Sequence, residues 1–448
     1  MGSYEKIFKA YDVRGVVPDE LDEDVAESVG AAFVRLTGAS SVVTVHDMRA
    51  SSRPLAEAFG RGAASQGADV IEGGLGSTDM LYYASGSLDM PGAMITASHN
   101  PAKYNGIKLC REGARPVGRD SGLIELRDAA ARGLPPYHGT PGVVVQRDLL
   151  SGYASHLKKL VDLSAIRPLK VAVDAGNGMA GHTVPKVFEG LPITVVPLYF
   201  ELDGTFPNHE ANPIDPQNLR DLQRAVIDSE ADIGLAFDGD ADRCFVVDER
   251  GHIVSPSVLT ALIAVRELAR EPGASVIYNL ITSRAVPEII TEHGGIPIRT
   301  RVGHSFIKAR MAETGAVFGG EHSGHFYFRD FWYADSGMLA ALHVLAALGE
   351  QDAPLSDILA GYGRYVATGE INSEVADQAG ATARVRAEFA SRPGVTFDEL
   401  DGLTVTGDGW WFNLRPSNTE PLLRLNLEAS DEDTMLRLRD EVLGIVRG

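Results

Sequence analysis

Cysteine is nearly absent, with only Cys110 and Cys244 in 448 residues. Two thiols cannot build a disulfide framework, and without a CxxC or Cys/His spacing they do not form a zinc site. The expectation is two small buried thiols in a reducing compartment. Basic charge is also short: 41 Lys and Arg face 61 Asp and Glu, a formal net charge of −20. Such a surface argues against a nucleic-acid partner and against an anionic membrane surface. Long apolar runs are missing too. No stretch approaches the ~18 residues of a membrane span, and the first residues carry no apolar signal segment. A cytoplasmic location is expected. An anionic ligand would need positive charge gathered locally, in the arginines and lysines of the glycine-bearing motifs.

What remains is an ordinary globular balance, 44% hydrophobic and 23% charged, long enough for about three domains, with four possible. Short β-branched runs alternate with amphipathic segments. Ser41–Val45 reads as a buried strand followed by a helix from about Arg53 to Gln66. Lys170–Asp174, Asp232–Phe237 and Ser275–Asn279 repeat the strand pattern, with helical stretches near Val184–Phe188 and Ser283–His293. Strand–loop–helix units predict α/β domains with mixed or mainly parallel sheets, over 1–150, 151–252 and 253–365. From 366 to 448 the pattern changes. A hairpin, a strand over Pro421–Leu427 and a closing helix over Asp431–Val446 predict a smaller α+β domain.

Asp238-Gly239-Asp240-Ala241-Asp242-Arg243 sets three carboxylates at alternate positions, just after a strand. They repel one another unless a cation or a donor neutralises them. An EF-hand is excluded, because position six is Arg243 instead of glycine and a strand pattern follows. Three single-oxygen ligands suit magnesium, leaving room for water and a phosphate oxygen. Thr96-Ala97-Ser98-His99-Asn100-Pro101 places a hydroxyl on a turn-forming loop, a place for an exposed side chain. His99 is expected to point away from Ser98, as neighbours on an extended chain do. Lys108 offers charge or a proton, or is a solvated loop lysine. Arg14, in Tyr11-Asp12-Val13-Arg14-Gly15, is expected at a turn, as a phosphate fork or a surface ion pair.

His304 follows a glycine and is suited to proton transfer or is a plain loop histidine. Gly320-Glu321-His322-Ser323-Gly324-His325 suits sugar hydroxyls, and reads equally as a glycine turn. Arg415-Pro416-Ser417-Asn418-Thr419-Glu420-Pro421 is either a phosphate cradle or a connecting turn.

Thr96–Pro101, Asp238–Arg243, Gly320–His325 and Arg415–Pro421, in this order and over essentially the whole chain, resemble the α-D-phosphohexomutase superfamily, specifically its bacterial phosphomannomutase/phosphoglucomutase branch. The resemblance implies three related α/β domains with mixed sheets plus a C-terminal α+β domain. It implies a magnesium-dependent mutase that interconverts hexose 1- and 6-phosphates through a phosphoserine and a hexose 1,6-bisphosphate, acting as a monomer or homodimer. Ser98 would carry the phosphate, and Asp238, Asp240 and Asp242 would hold one Mg2+ together with it. Arg14, Lys108, Arg243, His304 and His325 would supply phosphate contacts and acid/base groups. Tyr11, Glu321 and Ser323 would face the sugar, while Arg415, Ser417, Asn418, Thr419 and Arg424 would hold the spectator phosphate. Mannose is favoured and glucose possible. Phosphoglucosamine mutase is the alternative, although those enzymes usually carry glutamine where His322 stands. A metal-dependent sugar phosphatase would not need the second anion site. One departure is Ser77-Thr78-Asp79, where relatives often have proline third; it is expected to alter a loop without touching a catalytic group.

Overall fold

The computed structural model describes residues 2–417 and 422–448, without the side chains of residues 2, 3, 304 and 305. The chain folds as two compact units, one of residues 1–255 and 323–358, the other of 256–322 and 359–448.

In the first unit, seven strands form one sheet: β1 (Val13–Val16), β2 (Ser41–His46), β3 (Asp69–Leu75), β4 (Gly92–Ile95), β5 (Tyr104–Arg111), β6 (Arg115–Pro116) and β7 (Val144–Gln146). Their order is β1-β5-β4-β2-β3-β7, with β6 on β5. β4, β2, β3 and β7 run parallel, so the loops leaving β2, β3 and β4 emerge at one edge. β5 turns back antiparallel to β4. Helices Glu23–Thr37 and Ser52–Ser65 cross in near backbone contact. A Cβ on Gly62 would sit 1.9 Å from the Glu27 carbonyl, and one on Gly30 2.1 Å from that of Phe59. Glycine permits this approach, and the buried face around Phe33 and Phe59 closes over it.

A second sheet follows in the same unit: β8 (Leu169–Asp174), β9 (Ile193–Leu198), β10 (Ile233–Phe237), β11 (Cys244–Asp248) and β12 (Ile253–Val254), ordered β12-β11-β10-β8-β9. β8 is parallel to β9 and β10, and β11 returns antiparallel to β10. The helix Gly337–Gly349 is buried at every position, as expected of a helix apolar all round, and Ser336 caps it by accepting from the Leu339 N–H.

In the second unit, Ser275–Asn279 lies parallel to both Ile296–Thr300 and Phe318–Gly320, beside helices Pro256–Arg270 and Ala285–Glu292. The predicted C-terminal hairpin is present as Leu403–Gly407 with Trp410–Pro416. It belongs to a five-stranded antiparallel sheet, whose core of Phe389, Phe412, Leu425 and Val442 is closed by helices Gln378–Ala390 and Glu432–Arg447. Asp431 caps the last helix, accepting from the Thr434 N–H. The predicted strand over 421–427 is Leu422–Ala429, Pro421 lying outside the described residues.

Candidate active site

Ser98 follows β4 and Asp238 follows β10, each just past the carboxyl end of a parallel strand, where α/β sheets place ligands. Ser98 Oγ donates to Asp238 Oδ2 at 2.8 Å. Contrary to expectation the hydroxyl is not exposed; Ser98 is 5% accessible. The reason is its backbone: Ser98 has φ 50°, in the left-handed region, which folds the loop inward instead of presenting it. The same bend overturns the expected geometry of His99, whose Nδ1 lies 3.2 Å from Ser98 Oγ. Arg243 Nη2 donates to that Nδ1, so it is the unprotonated nitrogen and the ring carries its proton on Nε2. Burial, then Arg243 and Arg14, lower the His99 pKa to about 3, keeping it neutral.

Asp238, Asp240 and Asp242 are buried and each offers an oxygen within 4.8 Å of the others. Their charge is met from several elements. Arg243 holds Asp238 through Nε at 2.9 Å and Nη2 at 2.8 Å. Lys108, on β5, donates to Asp240 Oδ2 at 2.6 Å and Asp242 Oδ2 at 2.7 Å, so it is neither a loop residue nor solvated. Burial opposes that ammonium, but the two carboxylates outweigh it and raise the Lys108 pKa. Asp240 is likewise held down by Lys108 and by Thr78 against the cost of burial. Burial and the neighbouring carboxylates push Asp238 up, with Arg243 opposing. Asp240 Oδ1 and Asp242 Oδ1 have no hydrogen-bond partner among the described residues although both are buried. Two unpaired carboxylate oxygens with a third beside them fit a hard divalent cation.

Arg14 lies on β1 rather than at a turn, and reaches the serine loop by donating to Asn100 Oδ1 at 2.6 Å. Tyr11 stands just before that strand with its side chain 39% exposed. Residues 243 and 325 form an antiparallel bridge, which brings His325 Nε2 to 3.6 Å from Asp242 Oδ1. Ser323 Oγ is 2.9 Å from the other ring nitrogen of His325.

The remaining candidates belong to the second unit. Glu321 is buried, and its Oε1 accepts from the Gly303 N–H and the Asn279 amide, each at 3.2 Å. Arg415 and Arg424 stand opposite each other on adjacent strands, both directed to Glu370 at 3.8 and 3.4 Å. Arg424 also donates to Ser417 Oγ at 3.5 Å. The Nε atoms of both arginines are buried without a hydrogen-bond partner among the described residues, a pair suited to an anion. His304 starts the helix His304–Thr314, its side chain lying outside the described residues, as do Asn418 and Thr419.

Sequence reasoning missed Thr78. Its hydroxyl donates to Asp240 Oδ2 at 2.6 Å, and its N–H to the Asp240 carbonyl at 3.0 Å. The segment therefore meets the carboxylate cage through Thr78, whereas the departing residue, Asp79, accepts from Ser77, Tyr153 and Ser336 instead. The only local signal was position, since Thr78 follows β3 and that strand ends at the same sheet edge as β4.

Four domain models of one family match along the chain: phosphoglucomutase/phosphomannomutase α/β/α domain I over residues 5–131, domain II over 151–251, domain III over 256–365, and the C-terminal domain over 370–445. The chain belongs to the phosphoglucomutase/phosphomannomutase family. It is 40% identical over 444 residues to a protein of Xanthomonas campestris pv. campestris described as phosphohexose mutases, covering 98% of this chain and 99% of that one. A phosphomannomutase of Escherichia coli K12 is 39% identical over 445 residues, covering 97% of each. The crystal structure of a phosphoglucomutase/phosphomannomutase family protein from Burkholderia thailandensis superimposes with a TM-score of 0.89 at 34% identity, covering 99% of this chain and 97% of that one. This family member is a hexose phosphate mutase, an intramolecular phosphotransferase with the four-domain architecture of the α-D-phosphohexomutases. Among the described residues no helix is long and apolar enough to cross a membrane.

Proposed function

We propose that the enzyme interconverts hexose 1-phosphate and hexose 6-phosphate, with mannose favoured and glucose accepted, and that Ser98 is its phosphoryl carrier. The observation behind this reading is the 2.8 Å contact of Ser98 Oγ with Asp238, beside two buried carboxylate oxygens without a hydrogen-bond partner among the described residues. Asp238, Asp240 and Asp242 would hold one Mg2+ with the phosphate on Ser98. When bound, the cation supplies positive charge against the transferring phosphoryl group.

The protein's own part is positional. The Ser98 Oγ–phosphorus bond breaks as a bond forms from phosphorus to the sugar O1 or O6. The proton of the attacking sugar hydroxyl leaves to a base, His304 or His325, and Ser98 Oγ takes up a proton as its phosphate departs; Arg14, Lys108 and Arg243 stay charged and contact the phosphates. The resulting hexose 1,6-bisphosphate turns over, and its other phosphate restores Ser98. Two phosphates require two anion sites, and Arg415, Ser417 and Arg424, with Asn418 and Thr419, suit the spectator. Tyr11, Glu321 and Ser323 face the sugar in this scheme. Domains would run 1–150, 151–252, 253–365 and 366–448, in a cytoplasmic monomer or homodimer without nucleic-acid partners.

Intact-mass measurement should find one phosphoryl group, mapped to Ser98. Mannose 1-phosphate with Mg2+ and a trace of hexose 1,6-bisphosphate should give the 6-phosphate with little free phosphate. Stoichiometric inorganic phosphate would instead establish a phosphatase, and faster turnover of glucosamine 1-phosphate would overturn the neutral-hexose assignment.

A further inference from the structure

Arg49 lies three residues past β2, at the edge where the serine loop emerges, and it is 3% accessible. A guanidinium has five N–H donors in a rigid fork, and here each has an acceptor. Nε donates to Asp47 Oδ2 at 3.2 Å. Nη1 donates to the carbonyls of Pro101 and Tyr104, both at 3.0 Å. Nη2 donates to the carbonyls of Ser98 at 2.9 Å and Asn100 at 2.6 Å. Four of the five thus grip carbonyls of one loop, 98–104. The guanidinium carbon lies over the Phe206 ring, 5.1 Å from its centroid. Asp47 is itself buried, held by the Arg49 N–H and by Ser52.

The loop needs such a hold. Ser98 keeps a left-handed backbone that an L-residue adopts only when its surroundings impose it. The Ser98 carbonyl is also pressed from the other side, 2.4 Å from where a Cβ on Gly239 would stand. A carbonyl fixed by Arg49 and a hydroxyl fixed by Asp238 leave Ser98 little freedom.

We propose that Arg49 is the positioning residue of the phosphoryl carrier, setting Ser98 Oγ in line with the carboxylate cage without touching the substrate. The inference rests on Ser98 being the carrier. It deals with kcat rather than sugar affinity, because a transferring oxygen misplaced by about 1 Å costs on the order of 100-fold in rate.

The test uses the full-length enzyme as Arg49→Lys, Arg49→Ala and Ser98→Ala. Lysine keeps the charge but has three donors and no fork, so it cannot hold four carbonyls in one plane. Expected are a kcat at least tenfold lower for Arg49→Lys with KM within threefold, an unchanged circular dichroism spectrum, and a larger loss for Arg49→Ala. Added guanidinium at tens of millimolar should recover part of the Arg49→Ala rate and none of the Ser98→Ala rate. Arg49→Lys within twofold of wild type in kcat, with Ser98→Ala inactive, overturns the role of Arg49 alone. Turnover by Ser98→Ala overturns the carrier assignment and this inference with it. If both Arg49 variants lose the folded spectrum, Arg49 holds the fold and the positioning role is overturned.

Discussion

Replacing Thr78 by valine tests how much of the cage is set from outside it. Valine matches threonine in shape, so the change removes one hydroxyl and leaves the helix start at Thr78 intact. The lost bond is a 2.6 Å contact to Asp240 Oδ2, between two fully buried side chains. Hydrogen bonds to charged groups contribute roughly 1.5–3 kcal/mol. The same oxygen keeps Lys108 at 2.6 Å, so the lower end applies. About 1.5 kcal/mol corresponds to about a tenfold loss of divalent-metal affinity, within the range typical of groups that orient metal ligands. Calorimetric titration of the purified protein with Mn2+ reads this directly, independent of turnover. Thr78→Ser should restore most of the affinity. An affinity for Thr78→Val within twofold of wild type would refute the claim that Thr78 orients Asp240.

Asp79 gives a pH test at a site beside the cage. Its carboxylate is buried and accepts from Tyr153 Oη at 2.7 Å, Ser336 Oγ at 2.6 Å and Ser77 Oγ. Burial raises its pKa from 3.8 to about 6; those three hydroxyls oppose the shift and Asp242 adds to it. The folded state therefore binds this proton more tightly than the unfolded chain. Its stabilising contribution is full below pH 4 and lost as pH rises through 6, about 3 kcal/mol in all. Asp79→Asn should flatten the denaturant-derived stability slope between pH 4 and 6, and an unchanged slope would count against the buried anion. Gly62→Ala should cost roughly 1–3 kcal/mol and lower the melting temperature, because its Cβ meets backbone that cannot swing aside. A melting temperature at the wild-type value would show that the two helices part freely.

Elements with a clear period were readable. The strand before the aspartates is β10, the run after them is β11, and the closing helix came within one residue of its bounds. The helix near 184–188 begins earlier, at Ala180, because the glycine-rich segment before it hid the start. Side-chain direction was the weaker inference. His99 and Ser98 were treated as extended neighbours, and one left-handed residue reversed that. The long-range partners were silent in sequence for a different reason. Thr78 and Asp240 are 162 residues apart, and Lys108 and Asp242 are 134 apart, so no local pattern registers either pair.

Strand direction is what makes those distant pairs meet. β2, β3 and β4 run parallel, so Arg49, Thr78 and Ser98 all leave the first sheet at one edge. β10, parallel to β8, delivers Asp238 at its own carboxyl end, and the antiparallel return along β11 keeps Arg243 beside it. Both candidate loops hold a residue with a side chain in the left-handed region, Ser98 and Ala241. Neither bend is favoured locally. Groups from other elements hold the two loops: Arg49 from the loop after β2, Thr78 from the start of the helix after β3, and Lys108 from β5. In the proposed reaction the same groups would neutralise or orient the reacting atoms, so the contacts that hold the strain and those that would organise the chemistry coincide.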